Sequence, residues 1–224
     1  HTAFRGQIIN EKMIWKITEN MKVTQLLTVS EYFNQNAEGL NISQLNDPRQ
    51  ANPDAIPCNE YQKTKRITTG LLLNFNLSDN QEIEFTGFLK VTDYKEPGSS
   101  AVQYRSFFTP GGSAQYNLKW GAGRIRNYFT TGIDFQFQTI KEYKLPNIKD
   151  PARTEKIGEI SMDIKEDNIL LANQDINQSS IGIFLIDRLE LGKKLNAMFS
   201  LRYDQMSNKL YDKMNRSPLL SGSA

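Results

Sequence analysis

The feature that most constrains this chain is a period-two alternation of apolar and polar residues held over long stretches. From Arg66 to Leu77, the residues Ile67, Leu71, Leu73, Phe75 and Leu77 fall on one side of an extended backbone. Arg66, Thr68, Gly70, Asn74 and Asn76 fall on the other. Successive strand side chains point to opposite faces, so the spacing predicts a strand with one greasy and one polar face. Ser78-Asp79-Asn80 reads as a tight turn, because Asp and Asn make local side-chain bonds and tolerate left-handed backbone. Ile83, Phe85, Leu89 and Val91 then alternate with Glu82, Glu84, Thr86, Lys90 and Thr92, and only Phe88 is out of phase.

The hairpin recurs. Phe4 to Ile17, with Ile9, Met13, Trp15 and Ile17 in phase, turns at Thr18-Glu19-Asn20 and returns from Val23 to Asn34. Gln115 to Trp120 turns at Gly121-Ala122-Gly123, and Phe129, Ile133, Phe135 and Phe137 lead back. Ile181 to Leu191 turns at Gly192-Lys193-Lys194 into Leu195, Ala197, Phe199, Leu201 and Tyr203. The reading is about eight strands, several reaching the ~9–11 residues a tilted membrane strand needs. Strands of soluble domains usually run about 5–6 residues.

Connections alternate in length. Short turns close each hairpin, whereas long polar segments, about 35–63, 95–112 and 142–177, separate one hairpin from the next. The first is rich in Asn, Asp and Pro (Asn46-Asp47-Pro48, Asn52-Pro53-Asp54, Ile56-Pro57). Such loops are uncommon in compact soluble domains. Short turns at one end and long loops at the other are the pattern of outer-membrane barrels.

Composition excludes several alternatives. No apolar run approaches a membrane helix, but a membrane β-barrel barely registers in mean hydropathy, here -0.54. Lys and Arg number 27 against 25 Asp and Glu, which gives no basic excess for nucleic acid. The one histidine is His1 and the one cysteine Cys58, so His-based catalytic groups, an intrachain disulfide and Cys-rich metal sites have no residues to build them. Cys58 reads as a loop thiol. No cofactor, metal or enzyme site is expected. The first residue is His rather than Met and the end, Ser221-Gly222-Ser223-Ala224, completes no element, so a fragment of a longer chain is expected.

Alternation alone does not say whether the apolar face meets a core or lipid. A soluble lipocalin-like barrel or a small closed membrane barrel of eight strands would pair the first strand, near 7–17, with the last, near 195–204. The lipocalin version would bury Phe75, Phe85, Ile133 and Phe135 inside. Strand length, loop asymmetry and aromatics near turns (Trp15, Tyr94, Trp120, Tyr128, Tyr143, Tyr203), placed as in an interfacial girdle, favour the membrane barrel.

The last hairpin, Ile181-Gly182-Ile183-Phe184-Leu185-Ile186-Asp187-Arg188-Leu189-Glu190-Leu191 followed by Phe199-Ser200-Leu201-Arg202-Tyr203-Asp204, resembles a recurring hairpin of TonB-dependent outer-membrane receptors. Ser200 stands where that pattern usually has Gly. Gly132-Ile133-Asp134-Phe135-Gln136-Phe137-Gln138, and the Asp47-Pro48-Arg49-Gln50-Ala51-Asn52-Pro53 loop followed by Lys65-Arg66, resemble siderophore-type members. The resemblance implies an all-β, antiparallel up-and-down transmembrane barrel segment, about eight strands of a barrel of about 22 closed around a plug. It would have short periplasmic turns and long extracellular loops. It further implies residence in the outer membrane of a Gram-negative-type bacterium, energisation through TonB, and an iron chelate or similar scarce small ligand. Residues 1–224 would then be a partial barrel domain, with the plug and the C-terminal strands outside it. A passive porin segment is the alternative with the same wall.

Individual candidates are few, and no ligand-binding residue is assigned. Arg202 and Asp204 read as an ion pair in the lumen wall rather than as ligand contacts. Lys65-Arg66 reads as a solvated strand end, the other reading being attraction of an anionic chelate. Asp163, Glu166 and Asp167 lack the spacing of a calcium loop. Gly111-Gly112 and Gly121-Ala122-Gly123 read as turns rather than phosphate loops. Asn41, Asn76 and Asn177 match a glycosylation pattern of the kind an Asn-rich chain produces by chance.

Overall fold

The computed structural model describes residues 3–152, 166–192 and 194–214, and the backbone of 221–222. Eight long strands follow in chain order: β1 Phe4–Thr18, β2 Met21–Gln35, β3 Tyr61–Ser78, β4 Gln81–Pro97, β5 Ala101–Ala122, β6 Ile125–Pro146, β7 Ala172–Leu191 and β8 Leu195–Asp212. A two-residue β9, Ser221–Gly222, pairs with β8. All lie in one sheet in sequence order, each antiparallel to the next. This is the up-and-down all-β architecture that the alternation predicts.

Register turns the alternation into two continuous faces. Trp15, Val23, Leu73, Phe85, Ala114, Ile133, Ile183 and Tyr203 stand opposite one another from strand to strand across the sheet. The adjacent row is Thr24, Leu72, Thr86, Ser113, Asp134, Gly182 and Asp204. A slip of one residue would exchange the two faces, so every pairing must agree. On β3 the apolar run from Ile67 to Leu77 covers about 33 Å of strand, or about 25 Å of height at a tilt of about 40°, matching an outer-membrane apolar band. Phe75, Phe85, Ile133 and Phe135 are 39%, 45%, 42% and 42% exposed, which overturns the lipocalin arrangement. Among the described residues β1 pairs only with β2, so the sheet is open and the closed eight-stranded alternative also fails.

Two of the turns use a shared device. The Thr18 and Ser78 hydroxyls accept hydrogen bonds from the Asn20 and Asn80 amides, each 3.3 Å, and the ladder shifts register just before each turn. Neither Asn takes a positive φ; Gly123 and Gly192, at φ 61° and 68°, do so in the other two turns.

The expected second long loop, 95–112, is a correction. β4 runs to Pro97 and β5 begins at Ala101, leaving only Gly98–Ser100, closed by a 2.9 Å bond from the Gly98 amide to the Ala101 carbonyl. The Pro110-Gly111-Gly112 run lies inside β5, so Gly111-Gly112 is not a turn. These glycines are points of close approach: a Cβ at Gly111 would collide with the Phe88 ring, and one at Gly112 with the Thr86 carbonyl. Phe88 breaks the alternation because it covers a glycine on the polar face. Phe184 does the same over Gly132, its direct partner. The other two long connections are 36–60 and 147–171, shorter than expected because the strands reach further up.

A Cβ at Gly132 would stand 2.6 Å from both the Ala114 carbonyl and the Phe184 ring, whereas one at Gly87 meets nothing within 4 Å. Gly132→Val is therefore expected to lower barrel stability by about 1–3 kcal/mol, with Gly87→Ala nearly neutral. The midpoint of heat-induced mobility change on gels of the protein carrying each variant checks the difference.

Candidate functional site

The polar face is a wall of hydrogen-bonded side chains. At its middle, Arg202 donates two bonds to Asp134 (2.8 and 3.0 Å) and reaches both oxygens of Asp204 (Nε to Oδ2 2.8 Å, Nη2 to Oδ1 2.6 Å). The bidentate geometry suits the planar guanidinium. Gly182 leaves room for it, since a Cβ there would collide with both Arg202 and Asp204. Arg202 and Asp204 are thus the wall ion pair that the sequence predicts. Asp134, 68 residues from Arg202, escaped that reading; its signal is that Asp134 and Asp204 flank Gly182 in register.

Higher on the same face, Arg105 bonds Glu142 at 2.6 Å, with Lys144 on the other Glu142 oxygen at 3.3 Å. Tyr94 stands opposite Arg105, and Gln62 donates to Glu96 at 2.7 Å. Arg66 donates to Thr92 at 3.2 Å. Lys65 has the parity of Ile67 and Leu71, so the Lys65-Arg66 pair splits between the two faces. Tyr94 and Tyr128 also face inward, Tyr128 beneath Arg188 at 4.2 Å. Only Trp15, Trp120, Tyr143 and Tyr203 of the expected girdle lie on the apolar parity.

At the strand tops, the three connections are tied together. The 36–60 segment carries a short 3-10 helix, Ile42–Asn46, capped by Asn41. Cys58 contacts the Ser99 carbonyl at 3.6 Å, Asn147 donates to the Cys58 and Gly98 carbonyls at 2.8 and 2.7 Å, and Lys149 pairs with Asp54. Beneath lie Phe33 and Tyr61, rings 5.0 Å apart, with Ala55, Cys58 and Val102, all buried. Cys58 is a packed thiol, and burial raises its pKa. Glu166 accepts from the Tyr104 hydroxyl at 2.8 Å, and the Asp167 amide bonds Pro146; Asp163 lies outside the described residues. No group of three His, Cys, Asp or Glu placed to hold a metal occurs among the described residues.

Glu60 is fully buried beneath the tied loops. Burial, followed by a shared hydrogen bond with Glu38 and the like charges of Glu38, Asp54 and Glu96, pushes its carboxyl up to about 8.

A long, open, two-faced sheet of this register has a known counterpart. The model of the β-barrel of TonB-dependent receptor-like proteins matches residues 15–222. The chain belongs to the TonB-dependent receptor family. No curated protein sequence matches it. Solved structures similar to this receptor chain include the unliganded ferric citrate transporter FecA, with TM-score 0.81 and 12% identity over 97% of this chain and 32% of that one. BauA, the ferric preacinetobactin receptor of Acinetobacter baumannii, gives 0.68 and 15% over 99% and 36%. The siderophore receptor PiuA of the same organism gives 0.69 and 14% over 99% and 37%. The receptor chain therefore spans about a third of the length of the structures it matches. By its family the chain is part of a receptor barrel and not an enzyme.

The buried carboxyl carries a pH prediction. Below about pH 4.5 Glu60 is neutral in both the folded and the unfolded loop. From there to about 8 the unfolded chain ionises while the folded one keeps its proton, so packing weakens as pH rises. Protease cleavage within 36–60 should rise between about pH 6 and pH 9 in the native receptor and stay flat in Glu60→Gln.

Proposed function

We propose that this chain is wall and extracellular-loop assembly of an outer-membrane receptor that takes up a scarce ligand, of the ferric-siderophore class, with energy delivered through TonB. Residues 1–224 would be one section of a larger barrel of about 22 strands around a plug. The observation that carries the reading is the register: a lipid-compatible apolar face back to back with a hydrogen-bonded polar face, in a chain of this family. The open sheet supports the larger barrel, because unpaired strand edges are costly in lipid. The relatives named for ferric citrate, ferric preacinetobactin and siderophore support the ligand class.

In this reading the inward row of Tyr94, Arg105 and Glu142, with Lys144 one row above, stands at the mouth of the lumen, below the tied loops. Its cations and hydroxyl suit an anionic chelate passing inward. The plug rather than this wall would move when energy arrives.

Uptake of radiolabelled ferric siderophores by cells that make the receptor tests the proposal. Loss of TonB is expected to abolish accumulation while binding to the surface persists. Accumulation that survives loss of TonB would instead identify the passive porin.

A further inference from the structure

The alternation of the two faces reverses near the strand tops. Within the band the inward row on β5 to β8 is Ser113, Asp134, Gly182 and Asp204. Six residues toward the mouth on the same strands, it is Phe107, Ile140, Ile176 and Leu210, each directly opposite the next. All four are half-buried. The outward positions beside them on β6, β7 and β8 are Thr139, Asn177 and Lys209 below, and Lys141, Asp175 and Tyr211 above. Lys65 takes the same outward place above Ile67 on β3. A polar outside over an apolar inside is the arrangement of a soluble binding barrel, whereas a water-filled pore is lined by polar side chains.

This apolar belt lies between polar rows. Arg105 and Glu142 stand one inward step above it. One step below, Gln138 donates to Thr109 at 3.0 Å, and Gln178 and Asn208 continue that row. The belt's own row runs on from Phe107 through Thr92 to Arg66, and Lys90 stands opposite Thr109 in the row beneath. Arg66 donates to the neutral Thr92 hydroxyl at 3.2 Å. None of the ion pairs among the described residues uses Arg66 or Lys90. Four apolar side chains thus share one stretch of the inward face with two cations outside those ion pairs.

We infer that this belt receives the apolar arms of an anionic metal chelate, with Arg66 and Lys90 beside its charged centre. The inference rests on the uptake reading above and narrows its ligand. Chelates carrying aryl or alkyl arms are selected over compact hydrophilic ones such as ferric citrate. The reason is desolvation. Apolar arms gain by leaving water for the belt, whereas the hydroxyls and carboxylates of a citrate complex lose water there and meet no donor. For a wholly polar cargo, side chains like Gln138, Gln178 and Asn208 would serve at the belt as well.

The test is binding of radiolabelled ferric complexes to outer-membrane vesicles that contain the full receptor. The probes are ferric citrate and the ferric complexes of one citrate-based dihydroxamate with acetyl, benzoyl or octanoyl arms. The three dihydroxamate complexes share a charge and differ in apolar area. The native receptor is expected to hold the benzoyl or the octanoyl complex about tenfold more tightly than the acetyl one, the scale of roughly two methylene groups leaving water. Ile140→Thr with Ile176→Thr should bring the three to similar affinity; both residues stay β-branched, which strands accept. Ile140→Val with Ile176→Val should keep the preference. Arg66→Gln with Lys90→Gln should weaken all three alike, and Lys209→Gln, on the outward face, should change nothing. Heat-modifiable gel mobility reports that each variant folds, and the native preference is a test that needs no variant. Equal native binding of the three complexes, or tighter binding of ferric citrate, overturns the inference alone. So does a folded threonine variant that weakens every complex equally, since the belt then supports the plug or a loop. If cells making the receptor accumulate no ferric complex through TonB, the inference and the uptake reading fall together.

Discussion

A strand inside lipid has no water to satisfy its amides and carbonyls, so each must bond to a neighbouring strand. That requirement makes this structure one unbroken antiparallel ladder of eight long strands, and makes register its decisive variable. Register starts at the short turns, where Thr18 and Ser78 hold the amides of Asn20 and Asn80 and the ladder shifts just before the chain reverses. From there each pairing transmits the phase, until Trp15 at one edge and Tyr203 near the other stand in a single row. The apolar face needs little further specificity, since lipid accepts any greasy side chain of suitable size.

The polar face is more exacting. Its larger groups lie over glycines: Phe88 over Gly111, Phe184 over Gly132, and Arg202 over Gly182. In each case the missing Cβ makes the room that the neighbour fills, so the wall stays closely covered without a core beneath it. Arg202 has a second task, bridging Asp134 and Asp204 at once. The shared guanidinium offsets one of the two negative charges and lowers the repulsion between the carboxylates.

Above the membrane the same strands meet a different solvent and take on different chemistry. The tied loops bury Phe33 and Tyr61, with Glu60 as a proton-dependent member of that packing. The outward lysines gather directly over the last apolar residues. A single strand such as β3 thus carries an exposed apolar run, an exposed lysine above it and a buried tyrosine at its top, in that order.

The sequence by itself determined the strand character, the two faces, the short turns and the family resemblance, because a period-two pattern is local and survives in one dimension. It misread Gly111-Gly112 as a turn, where the local signal of a break is answered by Phe88 on the next strand. It also treated Lys65-Arg66 as one unit, although neighbours in a strand are on opposite sides of the wall. Only the tertiary structure decided that Asp134 meets Arg202, that Glu60 is sealed among other carboxyls, and that Phe107, Ile140, Ile176 and Leu210 stand in one inward row. Those contacts join residues far apart in the chain, and strand register alone brings them together.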